Sequence, residues 1–185
     1  MIQKIYNFFI DIIQTIVLAF SIFLIVYAWL FRPFEVSGKS MHPTFHDGEY
    51  VITNLIGLKF NNLNRGDVIV FKAPKDKDKD FIKRIIGLPG DKIKLLENEI
   101  YINDKKINES AYLGIDIKTS EGIFLKEGSS ITVPSENYFV CGDNREYSSD
   151  SREWGFVTKE AIIGKSIFVY WPQDRLRIIN NPFKE

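Results

Sequence analysis

The hydropathy pattern divides the chain into one long apolar block and a remainder of short apolar runs separated by turns. Residues 12–31, IIQTIVLAFSIFLIVYAWLF, carry no charge. A helix of that length is roughly 30 Å long, the thickness of a bilayer's hydrocarbon core. Tyr27 and Trp29 near its far end suit a membrane–water boundary. Arg32-Pro33 then supplies a charge that resists entry into lipid and a residue that discourages further helix. A buried core helix and a cleaved secretion signal are the competing readings. A cleaved signal has a shorter apolar core and small residues near its end, whereas this block ends in Tyr-Ala-Trp-Leu-Phe. The pattern therefore predicts a short N-terminal segment over 1–11, a transmembrane helix over 12–31 and a soluble domain over 32–185. Lys4 and the terminal amine before the block nearly balance Arg32 and Lys39 after it, so charge leaves its orientation open.

Past the block the period is that of strands. Asp67-Val68-Ile69-Val70-Phe71, Phe81-Ile82-Lys83-Arg84-Ile85-Ile86, residues 92–96, Tyr138-Phe139-Val140-Cys141 and residues 166–171 read as strands, several of them closed by Gly or Pro. Glu99-Ile100-Tyr101-Ile102, Asn103-Asp104 and Lys105-Lys106-Ile107 read as a tight hairpin with Asn-Asp at the turn. Residues 157–163 suggest one or two short helical turns. The alternating charges of residues 75–80, KDKDKD, follow a Pro and suggest a solvated loop, and residues 108–130 a polar surface excursion. The expected fold class is mostly β: a bent or barrel-like antiparallel domain carried on one N-terminal transmembrane helix.

Composition narrows the function classes. The 24 basic and 24 acidic residues cancel, which argues against a generic nucleic-acid partner. One Cys excludes an internal disulfide and multi-cysteine zinc sites, and two His leave little for a His-rich metal centre; neither a metal nor a cofactor is expected. Cys141 reads as a small buried hydrophobe.

Three clusters carry candidate chemistry. Lys83 lies inside an apolar run, sharing a strand face with Phe81 and Ile85 while Arg84 points to the other face. A buried cation must pair or lose its proton, and lysine, unlike arginine, can take the second route. A neutral amine is then a general base; the plainer reading is a lysine that snorkels from a half-exposed strand. Ser40, in Ser37-Gly38-Lys39-Ser40-Met41-His42-Pro43-Thr44, needs such a base to act as a nucleophile. Lys83, His42 and His46 are its candidate partners, and His42, His46 and Asp47 would also suit zinc. In the third cluster, residues 142–152, Asp143, Arg145, Asp150 and Arg152 are able to form charge-assisted pairs.

Taken together and in order, Ser-Met-x-Pro-Thr after a membrane span, RGDVIVFKAP over 65–74, FIKRIIGLPGD over 81–91 and GDNRxxSxDSR over 142–152 resemble the bacterial type I signal peptidases. The short chain with a single span is similar to the compact form found in Gram-positive bacteria. The resemblance implies a serine endopeptidase that removes signal peptides from exported preproteins at the membrane surface. Ser40 would be the nucleophile and Lys83 the base of a Ser/Lys dyad. Ser148 would orient the amine, while Asp143, Arg145, Asp150 and Arg152, with Arg84 as an ion-pair partner, would support the loop. The Ser40 N–H would form part of the oxyanion hole. Some members place a hydroxyl two residues before the nucleophile; that position is Gly38 here, with Ser37 one residue further back. Val36, Gly38, Met41, Phe81 and Ile82 would contact a substrate bearing an Ala-x-Ala cleavage site. The lipid bilayer would be the other partner, with residues 1–11 cytoplasmic and the catalytic domain outside the cytoplasmic membrane. A non-cleaving membrane scaffold would be expected to lack Ser40 or Lys83, and the related self-cleaving repressors lack an anchor.

Overall fold

The computed structural model describes residues 2–55, 63–114 and 117–183. Helix α1 covers Ile2–Leu30, so the segment expected to precede the span is itself helical. Within α1 the stretch Gln3–Tyr27 is long and apolar enough to cross a membrane, with mean hydropathy 2.5 and no burial against the rest of the protein. Its hydroxyls are satisfied internally, Thr15 Oγ1 donating to the Asp11 carbonyl and Ser21 Oγ to that of Val17, both at 2.8 Å. In lipid no water would be available to do so. The side chain of Trp29, expected at the interface, lies outside the described ones.

The remainder is mostly strand, and every pairing is antiparallel. The strands are β1 Phe31–Glu35, β2 Tyr50–Asn54, β3 Val68–Ala73, β4 Asp76–Gly87, β5 Lys92–Leu96, β6 Glu99–Ile102, β7 Lys105–Lys106, β8 Ser130–Thr132, β9 Asn137–Cys141, β10 Val157–Thr158, β11 Ile162–Trp171 and β12 Arg177–Ile178. One sheet runs β1-β2-β11-β3-β4-β9-β10, with β12 also paired to β11; a smaller one runs β7-β6-β5-β8. Register shifts interrupt β11 against both β2 and β3, and β4 against both β3 and β9. Such bulges bend strands. No described pairing joins β1 to β10, so the large sheet stays open.

Several expectations need correction. KDKDKD is not a loop: from Asp76 on it is the outer end of β4, paired with β3 through Lys72↔Asp80 and Ala73↔Asp76. The helical turns expected over 157–163 reduce to a single 3-10 turn at Lys159–Ala161 between β10 and β11. The hairpin at 99–106 forms as read. Asn103 and Asp104 take φ of +52° and +65°, the left-handed pair that a two-residue turn of this type demands.

The core falls into three clusters. One joins the small sheet to β9 through Ile93, Leu95, Ile100 and Phe139, and buries Cys141. A second lies around Ile69, Phe71, Ile85 and Val140. The third, Val36, Met41, Phe45, Val51, Val68 and Val169, lies under the residues that follow β1. Burying each such side chain contributes about 1.5–3 kcal/mol. The third cluster therefore pins a segment with no regular secondary structure of its own.

Candidate active site

Ser40 lies in that segment, at the start of a tight series of turns whose Met41 and Phe45 side chains are inserted into the core. The Phe45 N–H donates to the Met41 carbonyl at 2.9 Å and the His42 N–H to that of Lys39 at 3.1 Å. Ser40 itself remains partly exposed. Across from it, β4 delivers Lys83, which is 4% exposed. Lys83 Nζ donates to Ser40 Oγ at 2.7 Å and to the Ile82 carbonyl at 3.0 Å, and lies 5.4 Å from the centre of the Phe81 ring. Burial lowers the Lys83 pKa to about 8, against the opposing pull of the Asp150 and Asp143 carboxylates. With a pKa of about 8 the amine is half neutral near pH 8 and about a tenth neutral at pH 7, and in the neutral form the hydroxyl donates to the amine lone pair.

The loop over 142–152 encloses this pair. Asp143 takes a two-pronged bond from Arg84, Nε to Oδ1 at 2.8 Å and Nη2 to Oδ2 at 2.6 Å, and accepts a third from Thr44 Oγ1 at 2.5 Å. The Arg84 guanidinium lies over the Tyr112 ring at 4.3 Å. Arg145, buried, is held by Glu109 and by Thr119 Oγ1 at 2.6 Å, and donates to the Gly142 carbonyl at 3.1 Å. Asp150 caps the short helix α2, Ser151–Trp154, and bonds both Arg152 and the Gly142 N–H. Burial works against the Asp150 carboxylate, yet Arg152 and that N–H hold it below its ordinary range. Asn144 ties the loop to the Ser40 segment, its N–H donating to the Ser40 carbonyl and its Nδ2 to that of Lys39, both at 3.0 Å. A Cβ on Gly142 would come within 2.4 Å of the Ser40 carbonyl oxygen and 2.2 Å of Ser148 Oγ.

Ser148 is buried beside Gly142; its hydroxyl helps hold the Asp150 carboxylate below its ordinary range and does not reach Lys83 among the described contacts. The Gly38 N–H is engaged by Asp47 Oδ1 at 2.6 Å, whereas the Ser40 N–H donates to no described residue. The two imidazoles pack on each other, His42 and His46 ring centres 5.1 Å apart, and neither bonds Ser40. No cluster of metal-ligating side chains occurs among the described residues.

A groove opens beside Ser40 and Lys83, lined by Phe34, Val36, Val51, Val70, Phe81 and Ile82, with Glu35, Asp80 and Ser149 at polar positions. Its walls are β1 and the outer half of β4. Neither has a described strand partner on its groove side, since β9 joins β4 only from Arg84 onward. Of the residues expected to contact substrate, Val36, Phe81 and Ile82 line this groove. Met41 is instead buried in the core beneath it, and Gly38 is exposed outside the lining. The missed wall residues Phe34, Val51 and Val70 lie on strands whose sequence gives no hint of a cavity.

Comparison with known proteins gives a consistent picture. The family described as "Signal peptidase, peptidase S26" matches residues 9–171. Signal peptidase IB of Staphylococcus aureus (strain MRSA252) is 38% identical over 181 residues, covering 92% of this chain and 93% of the relative. Signal peptidase I of Bacillus licheniformis is 36% identical over 169 residues, covering 89% and 90%. The crystal structure of a signal peptidase I from Enterococcus faecalis V583 aligns with TM-score 0.47 and 28% identity, covering 57% of this chain and 97% of that one. With the family match running from within the apolar helix to the end of β11, the chain belongs to the signal peptidase family, peptidase S26.

Proposed function

We propose that this serine peptidase removes N-terminal signal peptides from exported preproteins at a membrane surface, with Ser40 as nucleophile and Lys83 as general base. The observation that carries the reading is the 2.7 Å contact between Ser40 Oγ and a lysine amine buried beside an apolar groove. The neutral amine takes the Ser40 proton as Oγ attacks the scissile carbonyl carbon. The oxyanion that forms is met by the Ser40 N–H, a donor with no other described partner. The lysine ammonium then passes its proton to the departing amine. Water, deprotonated by the same lysine, hydrolyses the resulting ester and regenerates both side chains.

The substrate segment lies extended between β1 and the part of β4 from Phe81 to Lys83, pairing its backbone with their free edges. Apolar walls accept small side chains such as Ala on alternate residues. Helix α1 holds the site next to lipid, on the extracytoplasmic side, where the cut lies just beyond the substrate's own membrane-embedded segment.

The test is cleavage of a preprotein with an Ala-x-Ala site by the detergent-solubilised protein. Ser40→Ala and Lys83→Ala are each expected to lower kcat by about a thousandfold or more with folding intact. His42→Ala and His46→Ala are expected to retain cleavage. Near-normal turnover in Lys83→Ala, with loss in either histidine variant, would transfer the base role to histidine.

A further inference from the structure

Beyond β11 the chain doubles back across the face that carries Ser40, in residues that lie outside the family match of 9–171. Strand β12 pairs with β11 through Phe168↔Ile178 and Val169↔Arg177. From there Arg177 reaches Glu49, a carboxylate with no solvent exposure, by two bonds, Nη1 to Oε1 at 2.9 Å and Nη2 to Oε2 at 2.6 Å. The same Nη2 donates to the Thr44 carbonyl at 2.6 Å, and the guanidinium carbon lies 5.6 Å from the centre of the Phe45 ring. Burial alone would raise the Glu49 carboxyl; the Arg177 bonds and the His46 N–H hold it below its ordinary range.

Two further attachments follow. Ile179 packs on the cluster containing Met41 and Phe45. Asn181 Nδ2 donates to the Arg65 carbonyl at 2.9 Å and to Asp67 Oδ1 at 2.7 Å, and the Phe183 ring meets Tyr112 with centres 6.0 Å apart. The approach is close enough that a Cβ on Gly66, whose φ is +87°, would come within 2.4 Å of Asn181 Oδ1 and 2.6 Å of the Phe183 ring. Each attachment ends on a support of the reacting pair. Thr44 and Phe45 belong to the turns that start at Ser40. Gly66 accepts from Arg84 Nη1 at 2.8 Å, and Tyr112 stacks on the same guanidinium, which holds Asp143.

We infer that residues 175–183 are a positioning strap for the nucleophile, and that Arg177, through Glu49 and the Thr44 carbonyl, fixes the turns that set Ser40 Oγ against Lys83. The inference rests on the reading of those two side chains as the reacting pair. Arg177 touches neither of them, so its contribution is to geometry. A shift of the nucleophile by a fraction of an ångström lowers turnover while leaving the groove, and with it substrate affinity, in place.

The experiment uses the full-length, detergent-solubilised protein and a preprotein with an Ala-x-Ala site. Arg177→Ala is expected to lower kcat by about ten- to hundredfold with KM within about twofold. Arg177→Lys is expected to fall between, because an ammonium replaces one arm of a two-pronged contact but not both. Folding is checked by near-ultraviolet circular dichroism and by melting above the assay temperature. A folded Arg177→Ala with the parent's kcat, or one altered only in KM, overturns the strap. Should Arg177→Ala not fold, Arg177→Lys and Asn181→Ala decide, and parental kcat in both overturns it. Ser40→Ala assayed alongside separates the two claims: residual cleavage there sinks the dyad reading, whereas a dead Ser40→Ala beside an unimpaired Arg177→Ala sinks the strap alone.

Discussion

Lys83 is the residue on which the proposed chemistry turns, and its burial has a cost that can be measured. Its pKa lies at about 8 in the folded protein against 10.5 for the free side chain. A group whose folded pKa is depressed in this way binds fewer protons folded than unfolded between those values, so its penalty is full below about pH 8 and fades as pH rises towards 10.5. The interval corresponds to about 3 kcal/mol. Lys83→Met is therefore expected to be inactive yet more stable than the parent at pH 6.5, with the advantage shrinking by pH 9.5, as read by paired thermal melts. In the active protein, kcat/KM is expected to fall on the acid side with a midpoint near pH 8. A lysine amid Phe81, Ile82, Ile85 and Ile86 is legible in sequence because nothing apolar explains it. The long-range contacts of Arg177, Glu49 and Thr44 were not legible. Their contacts join residues 128 and 99 positions apart, and each alone reads as an ordinary surface or turn residue.

At the scale of elements, the loop over 142–152 works by satisfying buried charges pairwise, Arg84 with Asp143, Arg145 with Glu109, and Arg152 with Asp150. Removing one member of such a pair leaves the other uncompensated, at about 3–5 kcal/mol. The charges were readable as a salt-bridged loop with Arg84 as an ion-pair partner, but Glu109, the partner of Arg145, was not. Glu109 and Thr119 come from the stretch that reads only as a polar excursion, and their role depends on how that stretch folds back. Gly142 is the point where the loop and the Ser40 segment touch. Gly142→Ala is expected to displace the Ser40 carbonyl or Ser148 and to lower kcat by about tenfold or more, with a lowered melting temperature as the companion measurement. Strands such as β5 and β6 were legible from alternation. β1 was not, because Phe31-Arg32-Pro33-Phe34-Glu35 has no alternating face and Pro sits within it. An edge strand tolerates that Pro since one side of its backbone needs no partner.

The whole molecule is a long apolar helix joined without a linker to an open sheet. Leu30 closes the helix and its carbonyl accepts from the Leu55 N–H at 3.0 Å, next to β2. That direct junction holds the groove wall β1 close to the end of the apolar helix. The outer half of β4, written as alternating Lys and Asp, has a further consequence. An open strand edge able to receive a guest backbone is equally a template for another copy of the same protein, and charges along an edge are a common deterrent to such stacking. Here the deterrent occupies residues 75–80 and stops at Phe81, so the permissive window is only a few residues wide. Replacing Lys77 and Lys79 by Val is expected to produce concentration-dependent oligomers in light scattering. The same six alternating charges would thus protect the protein from self-polymerisation while confining its visitors to a short footprint.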